Sequence, residues 1–562
     1  MKIRVISLIL LAILIFSGCG RSKVEVSSNE SITVSTRSEV EIALKEQDER
    51  KGVSLAFSIT DSFCPYTAET ALNRELGNLM YDSLVVLDNE FSPVFSLAEK
   101  IDTDEKTVTV TIKSTSFSDG SSLSSDDVVY CAEKAMESET RYGYNLADVE
   151  SVEASGSRKI VFTLSKEDPF FVNCLDFPIY KKGTDKKESS DKIAIPPVGS
   201  GRYVINKQKT KLNANKNFHG GKPSLSSINL INTPDDDALT HNLEVGNISY
   251  YYSDLSKCDI PGLRGRYETV NLNNLVFLGV NMQSGAMSSA EMRQAVSAAI
   301  DRKAIADNAY FRNATPATGI FNPNWCEKDS VMQTAETVVN ENVYLAQLAK
   351  MGYNEKDKKG YYVNSAGERL SLKLINYEEN AWRTAAADLI KSELLTAGIY
   401  IQIENLSWKD YTYSLKNRHF DLYLAEVAIG NNMDISELVT KGGDAAYGVY
   451  NENGKESENE TETPDSSESS SSVLSGSKAN AEEKPKEEET KDFAGDTAAA
   501  VKKFYQGKAN LQQVVTAFSN ELPMIPLCYR TGVVSYSTNI SGVRPSYGDV
   551  FGGIENVTIK DK

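Results

Sequence analysis

Three histidines, seven cysteines and a few adjacent carboxylates are the groups in this 562-residue chain with the most chemistry to offer. His219, His241 and His419 stand apart, and none has a histidine, cysteine or carboxylate at metal-ligand spacing. No metal site is expected. Cys19, Cys64, Cys131, Cys174, Cys258, Cys326 and Cys528 are widely dispersed, and no pair has CxxC spacing. If Cys19 is set aside, six remain, an even number compatible with disulfides and equally with isolated buried thiols. Gly199-Ser200-Gly201 is too short for a nucleophile elbow, and no P-loop, HExxH or GxGxxG is present. Nothing assembles a nucleophile, a base and an oxyanion site. The expectation is a binding protein with no catalytic residues and no cofactor.

The carboxylate pair Asp126-Asp127 has a structural explanation. It lies in Phe117–Tyr130, FSDGSSLSSDDVVY, just after the alternating run Thr107–Lys113. Asp119-Gly120 is a turn signal, since glycine tolerates positive φ and aspartate can bond its own backbone. Ser124 or Ser125 can cap a helix with both aspartates in its positive first turn. Val128, Val129, Ala132 and Ala135 continue that helix on an apolar face.

The rest of the chain sets the context. Lys2 and Arg4, the apolar run Ile6–Phe16 and Ser17-Gly18-Cys19 read as a signal peptide, 1–18, too short for a comfortable membrane span. Small residues before a cysteine resemble a bacterial lipoprotein cleavage site, with Cys19 as the lipidated residue; the leucine usual three places earlier is Phe16 here. Residues 19–51, rich in Ser, Glu and Lys, read as a flexible tether. The net charge is −18, or −20 once Lys2 and Arg4 are lost, which argues against nucleic acid as a partner. Residues 452–492 almost lack large apolar side chains; Glu452–Lys491 holds 12 acidic and 5 basic residues. They read as a disordered acidic insertion.

The motifs then align in order with one family. Phe117–Tyr130 resembles the F-S-D-G-x-x-L-x-x-x-D-V signature of the family 5 extracellular solute-binding proteins of peptide and nickel ABC importers. Leu79–Lys100 resembles that family's Y-E-G-L…P-x-L-A segment, and Pro197–Tyr203 its P-V-G-T-G-P-Y turn, with Arg202 at the proline. Asn215–Pro223 resembles N-x-x-Y-W-G-G-K-P, with His219 at the tryptophan. Met292–Arg302 resembles V-R-Q-A-x-x-x-A-I-D-R, where Arg293 and Asp301 would cap and orient the helix. Leu372–Ile375, the amphipathic Ala385–Thr396 and Ile399–Ile403 form a strand–helix–strand unit, implying parallel pairing. Pro523–Leu527 resembles the P-x-I-P-L strand that returns to the first lobe.

The resemblance implies an α/β fold of the large, two-lobed periplasmic-binding-protein type (type II), with mixed sheets and a hinge. Lobe one would be 52–272 plus 527–562, and lobe two 273–526, containing the insertion. It also implies a monomer that holds a small solute, an oligopeptide before others, in the cleft and delivers it to an ABC permease and its ATPases. The protein would sit outside the cytoplasm, lipid-anchored to the membrane. A sensor of extracellular peptides on the same fold is the alternative, and an envelope hydrolase a third. Two segments line the cleft in relatives. One is the loop after the first strand, here with Ser62, Phe63 and Cys64. The other follows Phe420-Asp421, where relatives read about F-D-x-x-x-x-G-W-x-x-D. Here Gly-Trp has become Glu426-Val427, Ala428 follows, and the amine-binding aspartate has become Gly430. Glu426 or Asp434 could supply the charge from a shifted position. Phe63, Tyr66, Trp325 and Trp408 are either cleft aromatics or core.

Overall fold

The alternation expected of Thr107–Ile112 is realised: Val108, Val110 and Ile112 are buried and the threonines between them are half-buried. This strand lies in a four-stranded antiparallel sheet, ordered Ala98–Asp104, Thr107–Ile112, Lys159–Leu164, Val149–Ala154. Helix Ser125–Met136 covers it and buries Val128, Ala132 and Ala135. Gly120 takes φ +87° in the turn. Ser124 is the cap, and Asp127 Oδ2 accepts from its N–H (2.9 Å) and its hydroxyl (2.7 Å). A second four-stranded sheet runs Ser54–Phe57, Ser227–Asn232, Lys211–Ala214, Tyr203–Ile205, the first pair parallel.

This computed structural model describes residues 52–186, 195–259, 262–263, 265–325, 327, 335–449 and 496–560. The signal peptide, the tether with Cys19, the acidic insertion and Cys326 lie outside them. Among the described residues no helix is long and apolar enough to cross a membrane.

The largest sheet has seven strands. Its order is Tyr250–Ser253, Met524–Tyr536, Arg266–Val280, Leu422–Ala428, Ser371–Tyr377, Tyr400–Leu406, with Ala314–Pro316 beside Met524–Tyr536. Ser371–Tyr377 pairs in parallel with both Tyr400–Leu406 and Leu422–Ala428. Helix Ala381–Ala397 makes the crossover and ends at Gly398, whose φ of +92° suits glycine. The strand after Phe420-Asp421 runs from Leu422 to Ala428, so Glu426 lies within it, opposite Val276.

Two apolar cores divide the chain into two lobes. One gathers residues from Val53 to Tyr250, with Val270 and Val534–Val557. The other gathers Phe91, Leu255 and residues from Leu275 to Val533. The long antiparallel strands Arg266–Val280 and Met524–Tyr536 contribute to both. Their ladder slips register between Asn271 and Leu275, and again between Val276 and Phe277.

Some local expectations shift. Helix Ala71–Met80 begins where it does because the Asp61 carboxylate binds the Thr70 N–H (2.8 Å) and hydroxyl (2.6 Å) and holds the preceding residues in a turn. Arg293 anchors its helix by donating to the carbonyls of Glu521, Met287 and Ser288, and Asp301 caps the next turn at Ala304 N–H. Cys64, Cys131, Cys174, Cys258 and Cys528 are free thiols. Phe63, Tyr66 and Trp325 are core residues, whereas Trp408 is exposed.

Candidate functional site

In an open sheet, the loops after the carboxyl ends of parallel strands are where ligands gather. Here Tyr377, Leu406 and Ala428 end parallel strands at one edge. The loop after Ala428 crosses from the second lobe to the first. Asn431 N–H donates to Asn145 Oδ1 (3.2 Å), Asn431 and Asn173 exchange amide-to-carbonyl bonds (3.2 Å each), and the Tyr547 hydroxyl donates to Asn431 Oδ1 (2.9 Å). Asn432 donates to Asp168 (2.6 Å), and Lys166 Nζ sits 2.7 Å from Asp434. Burial pushes the Asp168 carboxyl up to about 6, against the bonds from Asn432 and the Phe170 N–H. Phe170 of the first lobe meets Trp325 edge-on at 4.9 Å and stacks on Phe504 at 6.2 Å.

Each anticipated residue can now be placed. Gly430 lies in this seam, where a Cβ would stand 2.9 Å from Asn432 Oδ1 and 3.2 Å from Tyr144, so both side chains would have to give way to it. Asp434 is engaged by Lys166 and Ser436, so its charge is already matched. Glu426 is a paired carboxylate. Arg530, only 4% exposed, pairs with it at 2.9 Å, and Asn274 Nδ2 donates to it at 3.0 Å. Val427 pairs with Leu275, and Ala428 is exposed at the strand end. Phe63 and Cys64 are buried in the first core, and the Ser62 hydroxyl bonds Thr67 and the Cys64 N–H. None of the contacts described for Ser62, Phe63 or Cys64 reaches residues 426–434. The loop meets the site at one remove, through Tyr66 edge-on to Tyr142 at 5.9 Å.

The first lobe contributes a wall that motif reading missed. Arg141 pairs with buried Asp176 at 2.8 Å and lies over the rings of Tyr142 (4.7 Å) and Tyr547 (5.6 Å). Burial pushes the Glu75 carboxyl up to about 7, with Arg141 and Arg74 opposing. Tyr252 stands among Glu75, Asp254, Arg530 and Tyr547, and burial raises its hydroxyl well above the usual range. Glu75, Tyr142, Tyr252 and Tyr547 are each half-buried. The sequence signal was faint: RYGYN interleaves a cation with aromatics, and Arg530 is a lone charge in an otherwise uncharged strand.

These groups can bind a polar solute between tyrosine faces and paired charges. They do not form a catalytic relay. Among the described residues no three His, Cys, Asp or Glu side chains gather as a metal site.

Comparison with known proteins agrees with this architecture. Residues 92–445, more than half of the chain, match the family described as bacterial extracellular solute-binding proteins, family 5 middle. The oligopeptide-binding protein AppA of Bacillus subtilis is 23% identical over 384 residues, 63% of this chain and 69% of its own length. The nickel-binding protein NikA of Staphylococcus aureus is 26% identical over 441 residues, 74% of this chain and 77% of its own. Among solved structures, one titled as a nickel ABC transporter from Bacillus halodurans superposes with a TM-score of 0.67 at 17% identity, covering 91% of this chain and 100% of that one.

Proposed function

Because the chain belongs to the family 5 bacterial extracellular solute-binding proteins, we propose that it captures an oligopeptide between its lobes and delivers it to an ABC permease. The relatives that match are solute-binding proteins rather than enzymes. The observation that carries the reading is the set of paired charges and tyrosines that runs from Arg141–Asp176 of one lobe, past Tyr547 and Tyr252, to Glu426–Arg530 of the other. Paired charges and ring faces suit a zwitterionic chain of amides better than a sugar or a lipid. We assign 52–272 with 527–562 to one lobe and 273–526 to the other, with a hinge where the two long strands cross. Closure then requires only that the solute bind the closed state more tightly than the open one. Cys19 is the lipid attachment point in this reading, and the working unit is a monomer at the outer face of the membrane.

The test is a thermal-shift screen of di- to octapeptides, alongside mass spectrometry of whatever co-purifies from the native host. A peptide at a hundredfold excess over its dissociation constant adds about 2.7 kcal/mol of apparent stability. A second reading, a metal chelate, is favoured by the match to a nickel-binding relative. If no peptide shifts the unfolding midpoint while nickel–histidine does, the peptide reading fails and the second replaces it.

A further inference from the structure

Where the loop after Ala428 meets the first lobe, negative charge outnumbers positive. Asp148 and Asp168 of the first lobe and Asp434 of the second gather around one lysine, Lys166, which pairs with Asp148 at 3.0 Å and with Asp434 at 2.7 Å. Against the pull of burial, Asp434 and Asp148 hold the Lys166 ammonium above its ordinary range, so it stays charged. Asp168 is the carboxylate of the three with no ion pair among the described residues. It is 7% exposed, and its oxygens accept from neutral donors, the Phe170 N–H at 2.9 Å and Asn432 Nδ2 at 2.6 Å. Asn432 belongs to the far lobe, so that bond lasts only while the lobes are together.

The other groups facing Asp168 do not relieve it. On its own loop, Glu167 adds a further negative charge and lies against Gly507 of the second lobe. Tyr505, also of the second lobe, lies with its ring 4.8 Å from Lys166 Nζ, and Cys174 lies behind Asp168 in the first. Burial pushes the Tyr505 hydroxyl and the Cys174 thiol well above their ordinary ranges, so both are neutral in mild acid. A buried carboxylate with neutral donors and a like charge beside it holds its proton more readily than one in water. Burial, with Asp434, accordingly pushes Asp168 up to about 6, against the bonds from Asn432 and Phe170 and the charge of Lys166.

We propose that this seam is a proton-coupled latch: Asp168 takes a proton from solvent as the lobes close and returns it as they part. The inference rests on the reading of two moving lobes and adds what regulates them. When the lobes part, Asp168 meets water and leaves Asp434 behind, so its carboxyl falls back toward the ordinary range. The closed state then binds the extra proton. Acid favours closure, and that contribution is lost as pH rises through about 6. Solute capture tightens in mildly acidic surroundings and loosens toward neutrality.

The test is hydrogen–deuterium exchange of the ligand-free full chain, corrected for the intrinsic pH dependence of exchange and read by mass spectrometry. The reporter is the peptide carrying Asn431, whose N–H crosses the seam to Asn145 Oδ1 at 3.2 Å, and the core strand Thr107–Ile112 is the reference. In the parent, protection of the reporter rises about tenfold from pH 7 to pH 5, the shift that one proton held near 6 produces. Asp168→Asn, which mimics the protonated acid, shows at pH 7 the protection that the parent reaches at pH 5, and no longer varies. Should that variant fail to fold, Asn432→Asp carries the test: it sets a second carboxylate against Asp168, so protection falls about tenfold at pH 7 and returns in acid. Glu75→Gln keeps the parent's tenfold change; its disappearance there assigns the effect to Glu75 and overturns the latch. A reporter that opens locally but equally at both pH values also overturns it and leaves the moving lobes standing. If the reporter exchanges no faster than the reference strand at either pH, the lobes do not part, and the hinge reading fails with the latch.

Discussion

In the turn and helix of Phe117–Tyr130, the polar side chains close on one another and on the backbone. Asp119 takes the Ser121 N–H and hydroxyl and pairs with Lys181, and Asp127 holds both Ser124 donors and the Lys182 N–H. At the edge of the seven-stranded sheet, Arg383 Nε, Arg530 Nε and the Tyr310 hydroxyl are buried without partners. Both regions are rich in polar groups held by strands and helix starts. What separates them is satisfaction. The turn spends its hydrogen bonds internally, whereas the sheet edge leaves these three donors unspent.

The contrast can be pressed hardest at Glu426. Glu426→Gln leaves the buried Arg530 charge unmatched, and chemical denaturation should register a loss of about 3 kcal/mol; an unchanged midpoint would mean the pair is solvated and the edge is ordinary surface. Phe170→Ala empties a ring from between Trp325 and Phe504 at the seam. Since Phe170 is only half-buried, the expected loss is about 2 kcal/mol, below the usual range for a core phenylalanine, and proteolysis of the 496–504 helix should quicken.

Glu75 supplies a pH signature. Its folded-state carboxyl titrates near 7 against an ordinary 4.5, so the folded protein holds a proton that the unfolded chain has given up. That contribution is fully present below pH 4.5 and disappears as pH rises through 7. Partial solvent access limits the change to about 1 kcal/mol. Glu75→Gln should flatten urea midpoints measured from pH 4.5 to 7, leaving a smaller slope from Asp168, near 6. A parent protein that gains stability over that interval would contradict it. The mildest change is Ser124→Ala, which removes one cap bond at a cost of about 0.5 kcal/mol and should leave retention of any co-purified solute untouched. Altered retention there would erase the distinction between scaffold and site.

The scaffold was legible because its signals are local. Asp119-Gly120, the Ser124 cap, the Thr-Val alternation and Gly398 each encode their geometry within a few residues. The site was less so, because its pairs are remote in sequence: Arg141 with Asp176, Glu426 with Arg530, and Tyr310 with Trp382. The family pattern drew attention to residues 426–434 through their departure from it. It could not reveal that Asp434 is consumed by Lys166, or that a Cβ at Gly430 would press on Asn432 of its own loop.

The double register slip in the ribbon between the two cores bears on mechanics. A continuous antiparallel ladder resists torsion, since twisting it strains successive hydrogen bonds together. Between Asn271 and Phe277 the rungs are interrupted, and a bulged ribbon is locally more twisted and easier to wind further. The weak point falls where side chains stop belonging to one core and begin belonging to the other, between Val270 and Leu275. Such a ribbon works as a torsion bar: stiff along its length, so the lobes keep their separation, and compliant about its axis, so one lobe can turn against the other while both interiors stay dry.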